Sequence, residues 1–376
     1  MVTINKLAVI SIINGIGTDA RVLKTCNVLM ELGYSIIVID RNLATNLTLN
    51  NSKIKVISMS FIVNKGILFY LAFQIKLFFK LLFLKPTILV SNDLDTLAPN
   101  YLISRIKNIP LIYDSHELFT EVPELKNSKI KKKIWEKLEA FLIPKLSILI
   151  TVNESIAQLF FKKYNKRFNV VRNIPDFITP TSYKSKKELG LPEDKHIVLL
   201  QGSGINIDRG AEELIQSFNY LDDNYLLLII GSGDVWNALI ELAEKLNLSK
   251  KIVFINKLPK SELINYTVNA AIGVSIDKPT NLNYYNSLPN KIFDYAFAEL
   301  PMLVSNLPEI SAIVNKYNVG KIIASHEPII IANAIKEMTT SSNYTSWKQN
   351  CSNLTNEINW KNESKILKKI IEDLAN

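Results

Sequence analysis

The feature that most constrains this chain is a repeated alternation of short apolar strands and amphipathic helices along its 376 residues. Runs such as LAVISII and YSIIVID are short, apolar and β-branched, and helical patterns such as ARVLKTCNVLMEL separate them. Strands and helices that alternate in this way are typical of a parallel sheet covered by helices on both faces. The pattern therefore predicts an α/β fold.

The alternation is interrupted once, between Val171 and His196, where Pro175, Pro180 and Pro192 stand among Lys and Ser residues. Such a segment is typical of a connector, and a second alternating series follows it. We therefore predict two doubly wound, Rossmann-like domains that face each other across a cleft. The expected divisions are an N-terminal domain at 1–172, a linker at 173–195, a C-terminal domain at 196–358, and a helix at 359–376 that could pack back on the first domain.

The net charge and the cysteine content indicate which binding partners and which cellular compartment suit this protein. Lys and Arg number 44 against 35 Asp and Glu, a net charge of +9 that favours nucleic acid, acidic lipid or a phosphorylated substrate as partner. The two cysteines, Cys26 and Cys351, lie far apart without metal-ligand spacing, which indicates neither a disulfide framework nor a zinc site. We expect a cytoplasmic protein without a signal peptide at its N-terminus.

The segment Phe61–Lys85 is the most apolar part of the chain, but Lys65, Lys76 and Lys80 interrupt it. A spanning helix needs about 20 apolar residues with almost no charge, so we expect this helix not to cross a membrane. Its aromatic and Lys residues suit an anionic membrane surface, and its apolar face equally suits packing on the sheet. The basic run at 129–133 could likewise contact an anionic membrane, or it could be a solvated helix face.

A glycine turn follows the first strand. Gly15, Gly17 and Ala20 fit G-x-G-x-x-A, a pattern that lets a phosphate approach backbone N–H groups at a helix N-terminus. Asp40 ends the second strand, where a dinucleotide-binding fold places its ribose-binding acid. These residues support an alternative function, an NAD-dependent oxidoreductase or epimerase, although the second complete domain argues against it.

Two polar segments follow later strands of the first series. Asp93 and Asp95 form a D-x-D pair that could hold a metal on a nucleotide diphosphate, but we expect Asp95 to cap a helix that starts at Thr96. His116 lies just past another strand end. It could hydrogen-bond a sugar or shuttle a proton, or it could be purely structural.

The second series carries the residues best suited to a diphosphate. In QGSGINIDRG, Gly202 and Arg209 combine a glycine-rich strand end with a guanidinium, and Gly231 and Gly233 form a further glycine turn. In NSLPNKIFDYAF, Pro289 predicts a helix start, which would leave N–H groups free from residue 287 to residue 290. An ordinary capped helix is the alternative.

Taken together, these segments resemble a known family. NDLDTL, YDSHELFTE, TVNES, VVRNIPD, QGSG…DRG and SLPNKIFDYAFAELPMLVSN occur in the order found in retaining GT-B glycosyltransferases of family four. The resemblance runs from about Ile10 to Pro308. It implies that His116 contacts the transferred sugar, that Arg209 and Lys291 bind the donor diphosphate, and that Asp294 holds the ribose.

The sequence departs from the family's E-x7-E motif at both ends. The first Glu position is Asn286 and the second is Asp294. The missing first acid disfavours a covalent nucleophile and favours front-face transfer, in which the enzyme positions the reactants and stabilises the leaving diphosphate.

The resemblance thus implies a hexosyltransferase that moves a hexose from a UDP- or GDP-sugar to a lipid-linked glycan acceptor in bacterial surface polysaccharide synthesis. It needs no cofactor, metal or nucleic acid and could lie on the inner face of the membrane. The donor site would comprise Gly17, Gly202, Arg209, Gly231, Gly233, Ser287, Leu288, Asn290, Lys291 and Asp294, and the acceptor or sugar contacts Asp19, Asp93 and Glu117. A non-catalytic nucleic-acid binder is the other alternative; its affinity would fall steeply with salt.

Overall fold

A computed structural model describes residues 6–42, 53–122, 125, 128–177 and 180–374. The chain divides into two compact units, Met1–Asn173 with Trp360–Asn376, and Ile174–Asn359. The predicted N-terminal residues 1–5 and residues 178–179 of the predicted linker lie outside the described residues.

The strands of the two units are short and mostly buried. They are β1 (Leu7–Ser11), β2 (Ser35–Arg41), β3 (Ile54–Met59), β4 (Ile88–Asn92), β5 (Leu111–Ser115), β6 (Ile148–Thr151), β7 (Asn169–Val170), β8 (His196–Gly202), β9 (Tyr225–Gly231), β10 (Ile252–Asn256), β11 (Ile272–Ser275), β12 (Met302–Val304) and β13 (Gly320–Ile322).

The helices fill the connections between strands. They are α1 (Ala20–Glu31), α2 (Gly66–Phe83), α3 (Leu94–Lys107), α4 (Lys129–Leu142), α5 (Glu154–Tyr164), α6 (Ala211–Ser217), α7 (Trp236–Lys245), α8 (Lys260–Val268), α9 (Leu282–Tyr285), α10 (Lys291–Phe297), α11 (Pro308–Tyr317), α12 (Pro328–Thr340), α13 (Tyr344–Glu357) and α14 (Trp360–Glu372).

In the first unit, the described strands form one parallel sheet in the order β3-β2-β1-β4-β5-β6-β7. Helices α1 and α14 pack on one face of this sheet, and α2 to α5 pack on the other. Because apolar side chains cover both faces, the strands read as continuous apolar runs rather than as alternating ones.

The second unit repeats this plan. Its described strands form a parallel sheet in the order β10-β9-β8-β11-β12-β13. Helices α6, α7 and α12 pack on one face, and α10, α11 and α13 pack on the other. The predicted fold class, two Rossmann-like α/β domains in series, is confirmed.

The terminal helix α14 packs on α1 within the first unit. Leu367 and Ile371 are buried in the core on that face of the sheet. Glu363 accepts hydrogen bonds from the backbone N–H of Arg172 at 2.8 Å and from its guanidinium at 3.0 Å. In the predicted linker, Ile174 and Leu191 are buried in a core of the second unit.

Two predicted helix starts are each wrong by two residues. Helix α3 begins at Leu94, so Asp95 lies buried in its first turn and caps nothing; Asp93 holds the position before the helix with φ 56°. Helix α10 begins at Lys291 rather than at Pro289, whose carbonyl accepts a hydrogen bond from the N–H of Ile292. Helix ends are set by local hydrogen bonds that residue types specify only loosely.

Helix α2 occupies most of the apolar segment predicted to be helical. Its buried side chains recur every four residues, at Phe69, Phe73, Leu77 and Leu81, and they pack into the core of the first unit. By length and composition alone, α2 is the one helix in the described ranges that could cross a membrane, with 22% of it buried in the fold.

The packing of α14 gives a direct test of the fold. We predict that Leu367→Ala lowers the free energy of unfolding of the first unit by about 2–4 kcal/mol, because it leaves a cavity in a buried core. The matched variant Lys365→Ala, on the exposed side of the same helix, should change it by less than about 0.5 kcal/mol. Chemical denaturation of the full chain measures both; equal effects would show that α14 does not contribute to the core.

Candidate active site

A cavity of about 350 Å³ opens at the carboxyl ends of β8, β9 and β10 in the second unit. This is the edge of a doubly wound sheet where ligands bind, beside the point at which the strand order reverses. It is lined by Leu200, Gln201, Gly202, Ser203, Gly204, Ile205, Arg209, Ile230, Gly231, Lys257, Leu258, Lys260, Leu263, Pro289, Asn290, Lys291 and Asp294.

Most of the predicted donor-site residues meet at this cavity. Gly202, Arg209, Gly231, Asn290, Lys291 and Asp294 all line it. Three others lie outside its lining: Ser287 donates its hydroxyl hydrogen to the carbonyl of Tyr284 at 2.9 Å, Leu288 packs against a core, and Gly233 lies behind the loop after β8. Gly17 belongs to the other unit.

Arg209 is held in place before any ligand arrives. Its guanidinium carbon lies 3.9 Å from the centre of the Tyr284 ring, and its Nη1 lies 3.2 Å from Asp277 Oδ2. A guanidinium fixed by stacking and an ion pair loses little conformational freedom when it binds a phosphate. The side chain is 25% exposed, so it remains accessible from the cavity.

Lys291 and Asp294 stand one helical turn apart at the start of α10. Burial lowers the pKa of Lys291 and Arg209 lowers it further, while Asp277 opposes them. Burial raises the pKa of Asp294, which Lys260 and Gln201 partly offset; its Oδ2 accepts from Gln201 Nε2 at 3.3 Å. Burial therefore disfavours the charged forms of both side chains. A ligand could offset this, with a phosphate beside Lys291 and a hydroxyl beside Asp294.

The predicted glycines have two different roles. A Cβ at Gly202 would meet nothing closer than 3.8 Å, so this residue leaves open space at the cavity. A Cβ at Gly231 would lie 1.8 Å from the Gly202 carbonyl oxygen, and one at Gly233 would lie 1.9 Å from the Ile205 carbonyl oxygen. The last two glycines therefore let the loops after β8 and β9 pack together.

Sequence reasoning missed three polar groups at this site. Lys257 and Lys260 line the cavity after β10, and their position after a predicted strand could have marked them. Asp277 is fully buried, and neither carboxylate oxygen accepts a hydrogen bond from the residues that the structure describes. Its ion pair with Arg209 compensates its charge, which makes it a positioning residue for the guanidinium.

A second group of charges lies at the carboxyl ends of β4 and β5 in the first unit. His116 places Nδ1 3.5 Å from Asp93 Oδ2 and Nε2 3.5 Å from Asp114 Oδ2, and its backbone N–H donates to Asp93 Oδ1 at 2.8 Å. Asp114 in turn accepts two hydrogen bonds from the buried guanidinium of Arg21, at 2.7 and 2.9 Å.

These neighbours fix the charge state of the histidine. Burial alone would lower the pKa of His116, but Asp93 and Asp114 outweigh it and raise that pKa to about 9. Burial would likewise raise the pKa of Asp114, yet Arg21 and His116 hold it well below its usual range. The raised pKa favours a protonated His116 at neutral pH, and a protonated imidazole is poorly suited to act as a general base.

Arg21 and Asp114 were not among the predicted site residues. Each is a charged residue inside an otherwise apolar helix or strand pattern, and such residues are buried only when paired. A charged residue in an apolar pattern could therefore have marked Arg21 and Asp114 as members of a buried ion pair.

The remaining predicted residues of the first unit have local partners. Asp19 caps α1, where its carboxylate accepts from the N–H of Val22 at 3.1 Å. Gly17 lies in the short 3₁₀ helix just before it, and Glu117 is exposed beside His116. Asp40 accepts from the Ile16 N–H at 3.1 Å and from the Ser58 hydroxyl at 2.6 Å, so both of its oxygens are occupied within the fold. Asp40 therefore has structural partners of its own, which weakens the oxidoreductase alternative that relied on it as a ribose-binding acid.

The D-x-D pair does not converge on a common point. Asp93 bonds His116, whereas Asp95 is buried in α3, and burial together with Asp93 raises its pKa well above the usual range. Within the described ranges, no group of three or more His, Cys, Asp or Glu residues has the spacing of a metal site.

Two parallel sheets of this topology in series, each with a polar site at its carboxyl edge, define a two-domain Rossmann-like protein of the kind found among glycosyltransferases. The family models agree: residues 16–179 match Glycosyltransferase Family 4, and residues 182–353 match Glycosyl transferases group 1. The chain belongs to this family of glycosyltransferases and is a glycosyl-transferring enzyme. A search of curated proteins found no match to this sequence.

Solved structures share the fold over nearly the whole chain. Anabaena HepE in complex with UDP and glucose has a TM-score of 0.77 at 15% identity, covering 98% of this chain and 100% of that one. Sucrose-phosphate synthase from Thermosynechococcus elongatus has a TM-score of 0.76 at 14% identity, covering 98% of this chain and 99% of that one. WaaG, a glycosyltransferase involved in lipopolysaccharide biosynthesis, has a TM-score of 0.70 at 14% identity, covering 97% of this chain and 99% of that one.

The charge on His116 predicts a pH dependence of stability. Because its folded pKa is raised, the stabilisation from its charge is complete below about pH 6.5, the ordinary histidine value, and is lost as the pH rises through about 9. The free energy of unfolding of the wild type should fall over this range, and His116→Gln should lack that fall. An imidazole NMR titration with a midpoint near the ordinary value would contradict the assignment.

Proposed function

We propose that this enzyme transfers a hexose from a UDP- or GDP-sugar to a hydroxyl of a growing, lipid-linked glycan, with retention of configuration, in bacterial surface polysaccharide synthesis. The observation that supports it most is the cationic cavity at the carboxyl edge of the second sheet. Arg209, Lys257, Lys260 and Lys291 line it, against one carboxylate, Asp294. Such a site suits a nucleoside diphosphate, whose charge it would neutralise.

The donor would bind with its diphosphate between Arg209 and Lys291, beside the open backbone at Gly202. Asp294 would accept hydrogen bonds from the ribose hydroxyls in exchange for its contact with Gln201. UDP is favoured over GDP because structures of Anabaena HepE contain UDP and UDP-glucose. WaaG, described as acting in lipopolysaccharide biosynthesis, supports the surface-glycan class.

We propose that these side chains also replace a divalent metal. Departure of the nucleoside diphosphate places negative charge on its terminal phosphate, and fixed cations stabilise that charge when they are already oriented. Arg209 meets this requirement because Tyr284 and Asp277 hold it.

Retention is proposed to occur by front-face transfer. Asn286 holds the position of the family's first acid, and its Nδ2 donates to the carbonyl of Leu282 at 2.7 Å; an amide cannot serve as a carboxylate nucleophile. The bond from the anomeric carbon to the diphosphate oxygen would break as the acceptor oxygen bonds on the same face. The acceptor proton would pass to the leaving phosphate oxygen.

His116 would contact the transferred hexose. Its raised pKa favours the protonated form at neutral pH, so it would stabilise developing negative charge through its own positive charge rather than remove a proton. Asp19, Asp93 and Glu117 remain proposed contacts of the sugar or acceptor, although Asp93 acts first through its bonds to His116.

The acceptor side is proposed to lie at the cytoplasmic surface of the membrane. Exposed apolar residues of α2, including Leu68, Leu71 and Phe83, stand among lysines on the surface of the first unit. A peripheral enzyme with such a surface could reach acceptors that a lipid anchors in the bilayer.

Two substitutions separate donor binding from turnover. Arg209→Ala should weaken UDP binding by about 10- to 100-fold, the loss of a charge-assisted contact to phosphate. His116→Ala should leave UDP binding largely intact and lower kcat by about 10²- to 10³-fold, the loss of one charge that stabilises the transition state. Calorimetry with UDP and turnover of UDP-hexose on a glycan acceptor measure the two effects.

His116→Gln, which keeps a neutral donor, controls for the two carboxylates left unpaired in His116→Ala. Arg167→Ala removes an exposed guanidinium of the first unit and should leave both quantities unchanged. Wild-type behaviour of Arg209→Ala and His116→Ala together would rule out the proposed site.

A further inference from the structure

The outward side of α2 carries exposed apolar residues over its full length, with Lys76 and Lys80 among them. Opposite the buried positions, Ile67 (58%), Leu68 (68%), Leu71 (56%), Phe79 (51%) and Phe83 (81%) are exposed. Ile75 (50%) is a further exposed apolar residue of α2, and other exposed apolar residues of the first unit are Ile62, Val63, Leu102, Ile106, Ile130, Ile134 and Phe141. Exposed apolar residues concentrated on one helix are typical of an interaction site. We call this side of the helix the α2 face.

The charges around the α2 face identify its partner. The segment Phe61–Lys85 contains no Asp or Glu, and its lysines alternate with the exposed apolar residues. The adjoining helix α4 adds the exposed lysines Lys129, Lys131, Lys133 and Lys137. A second copy of the chain would bring like charges together, whereas an anionic bilayer matches both the apolar and the cationic parts.

A hollow of about 280 Å³ lies at the edge of this face, between the start of α2 and α4. Among the residues that the structure describes, its lining includes three cations, Arg41, Lys65 and Lys131, and no carboxylate. The aromatic residues Phe69, Tyr70 and Trp135 form its floor, with the rings of Tyr70 and Trp135 5.2 Å apart.

The hollow is partly preorganised. The guanidinium of Arg41 lies 4.4 Å from the centre of the Phe69 ring and donates to the backbone carbonyl and the side-chain oxygen of Asn64, each at 3.1 Å. These contacts orient one cation at the rim. Lys65 and Lys131 stand exposed, which suits a ligand that brings its own negative charge.

We propose that this hollow binds the phosphate headgroup of a membrane lipid whose tails lie along the α2 face. The three cations would surround a terminal phosphate, and Trp135 and Tyr70 would lie at the depth of the bilayer interface. This inference rests on the membrane association in the proposed function and adds the site and the chemical group that it recognises.

Vesicle binding tests it without any turnover assay. The full-length protein is sedimented with phosphatidylcholine vesicles that contain either phosphatidic acid, which has a terminal phosphate, or enough phosphatidylglycerol to match its surface potential. The wild type should bind the phosphatidic acid vesicles more tightly than the phosphatidylglycerol vesicles, and bind pure phosphatidylcholine least.

Matched pairs of variants locate the effect. Lys65→Gln with Lys131→Gln should abolish the preference and weaken binding to phosphatidic acid vesicles by about 25-fold, about fivefold for each lysine. Lys76→Gln with Lys80→Gln, on the same face outside the hollow, should weaken binding to both anionic vesicles equally and keep the preference. Lys250→Gln with Lys348→Gln, exposed in the second unit, should change nothing.

Four results would overturn the inference. Equal affinity for the two anionic vesicles, or identical behaviour of the first two variant pairs, would reduce the hollow to part of a general basic surface. Stabilisation by inorganic phosphate that depends on Lys65 and Lys131, with no preference among vesicles, would assign it to a soluble phosphate. A dimer in sedimentation equilibrium that Leu71→Gln dissociates would assign the α2 face to a second copy. UDP binding is measured on the same protein preparations. Loss of the proposed nucleotide site would appear in that measurement and is thereby distinguished from failure of the lipid-binding inference.

Discussion

Parallel pairing of the strands is the constraint on which both sites depend. In each sheet all described strands run the same way, so their carboxyl ends share one edge and the loops that follow them converge there. Residues separated by many positions in sequence thereby become neighbours. His116 after β5 meets Asp93 after β4, and Lys257 after β10 shares a cavity with Gly202 at the end of β8.

The two edges differ in how their charges are balanced. In the first unit, Arg21, Asp114, His116 and Asp93 form a chain of contacts that compensates itself. In the second unit, the cavity has four cations and one carboxylate, and burial lowers the pKa of Lys291. The first arrangement favours a protonated His116, and the second lines its cavity with more cations than carboxylates, which suits an anionic ligand. That difference suits a division of labour between orienting a sugar and stabilising a leaving diphosphate.

Much of this was readable from the sequence. The apolar periodicity predicted the fold class and nearly every strand, because burial on both faces leaves a strong signal in residue type. The glycine-rich strand end at Gly202 and the segment around Lys291 located the cavity. The sequence did not predict contacts between side chains that are far apart along the chain. Nothing in the local pattern indicates that Arg21 contacts Asp114, or that Arg209 contacts Asp277 and Tyr284.

The failures of prediction share a physical cause. Asp95 was expected to cap α3, but α3 begins two residues earlier, after Asp93, whose carboxylate accepts a hydrogen bond from the N–H of His116 in another loop. Gly233 has the residue type of a phosphate-binding loop, yet its lack of a side chain serves contact with Ile205. Local sequence specifies which conformations are allowed, and tertiary contacts select among them.

The most direct measurement is thermal stabilisation of the full-length protein by UDP, GDP, ADP, CMP and NADH, with Arg209→Ala alongside. A ligand that binds only the folded state raises its stability by mass action. A rise in Tm with UDP or GDP that Arg209→Ala reduces is the predicted result, and it would identify the donor base. A rise with NADH alone, or with none of the five, would contradict a nucleotide-sugar site in the second unit.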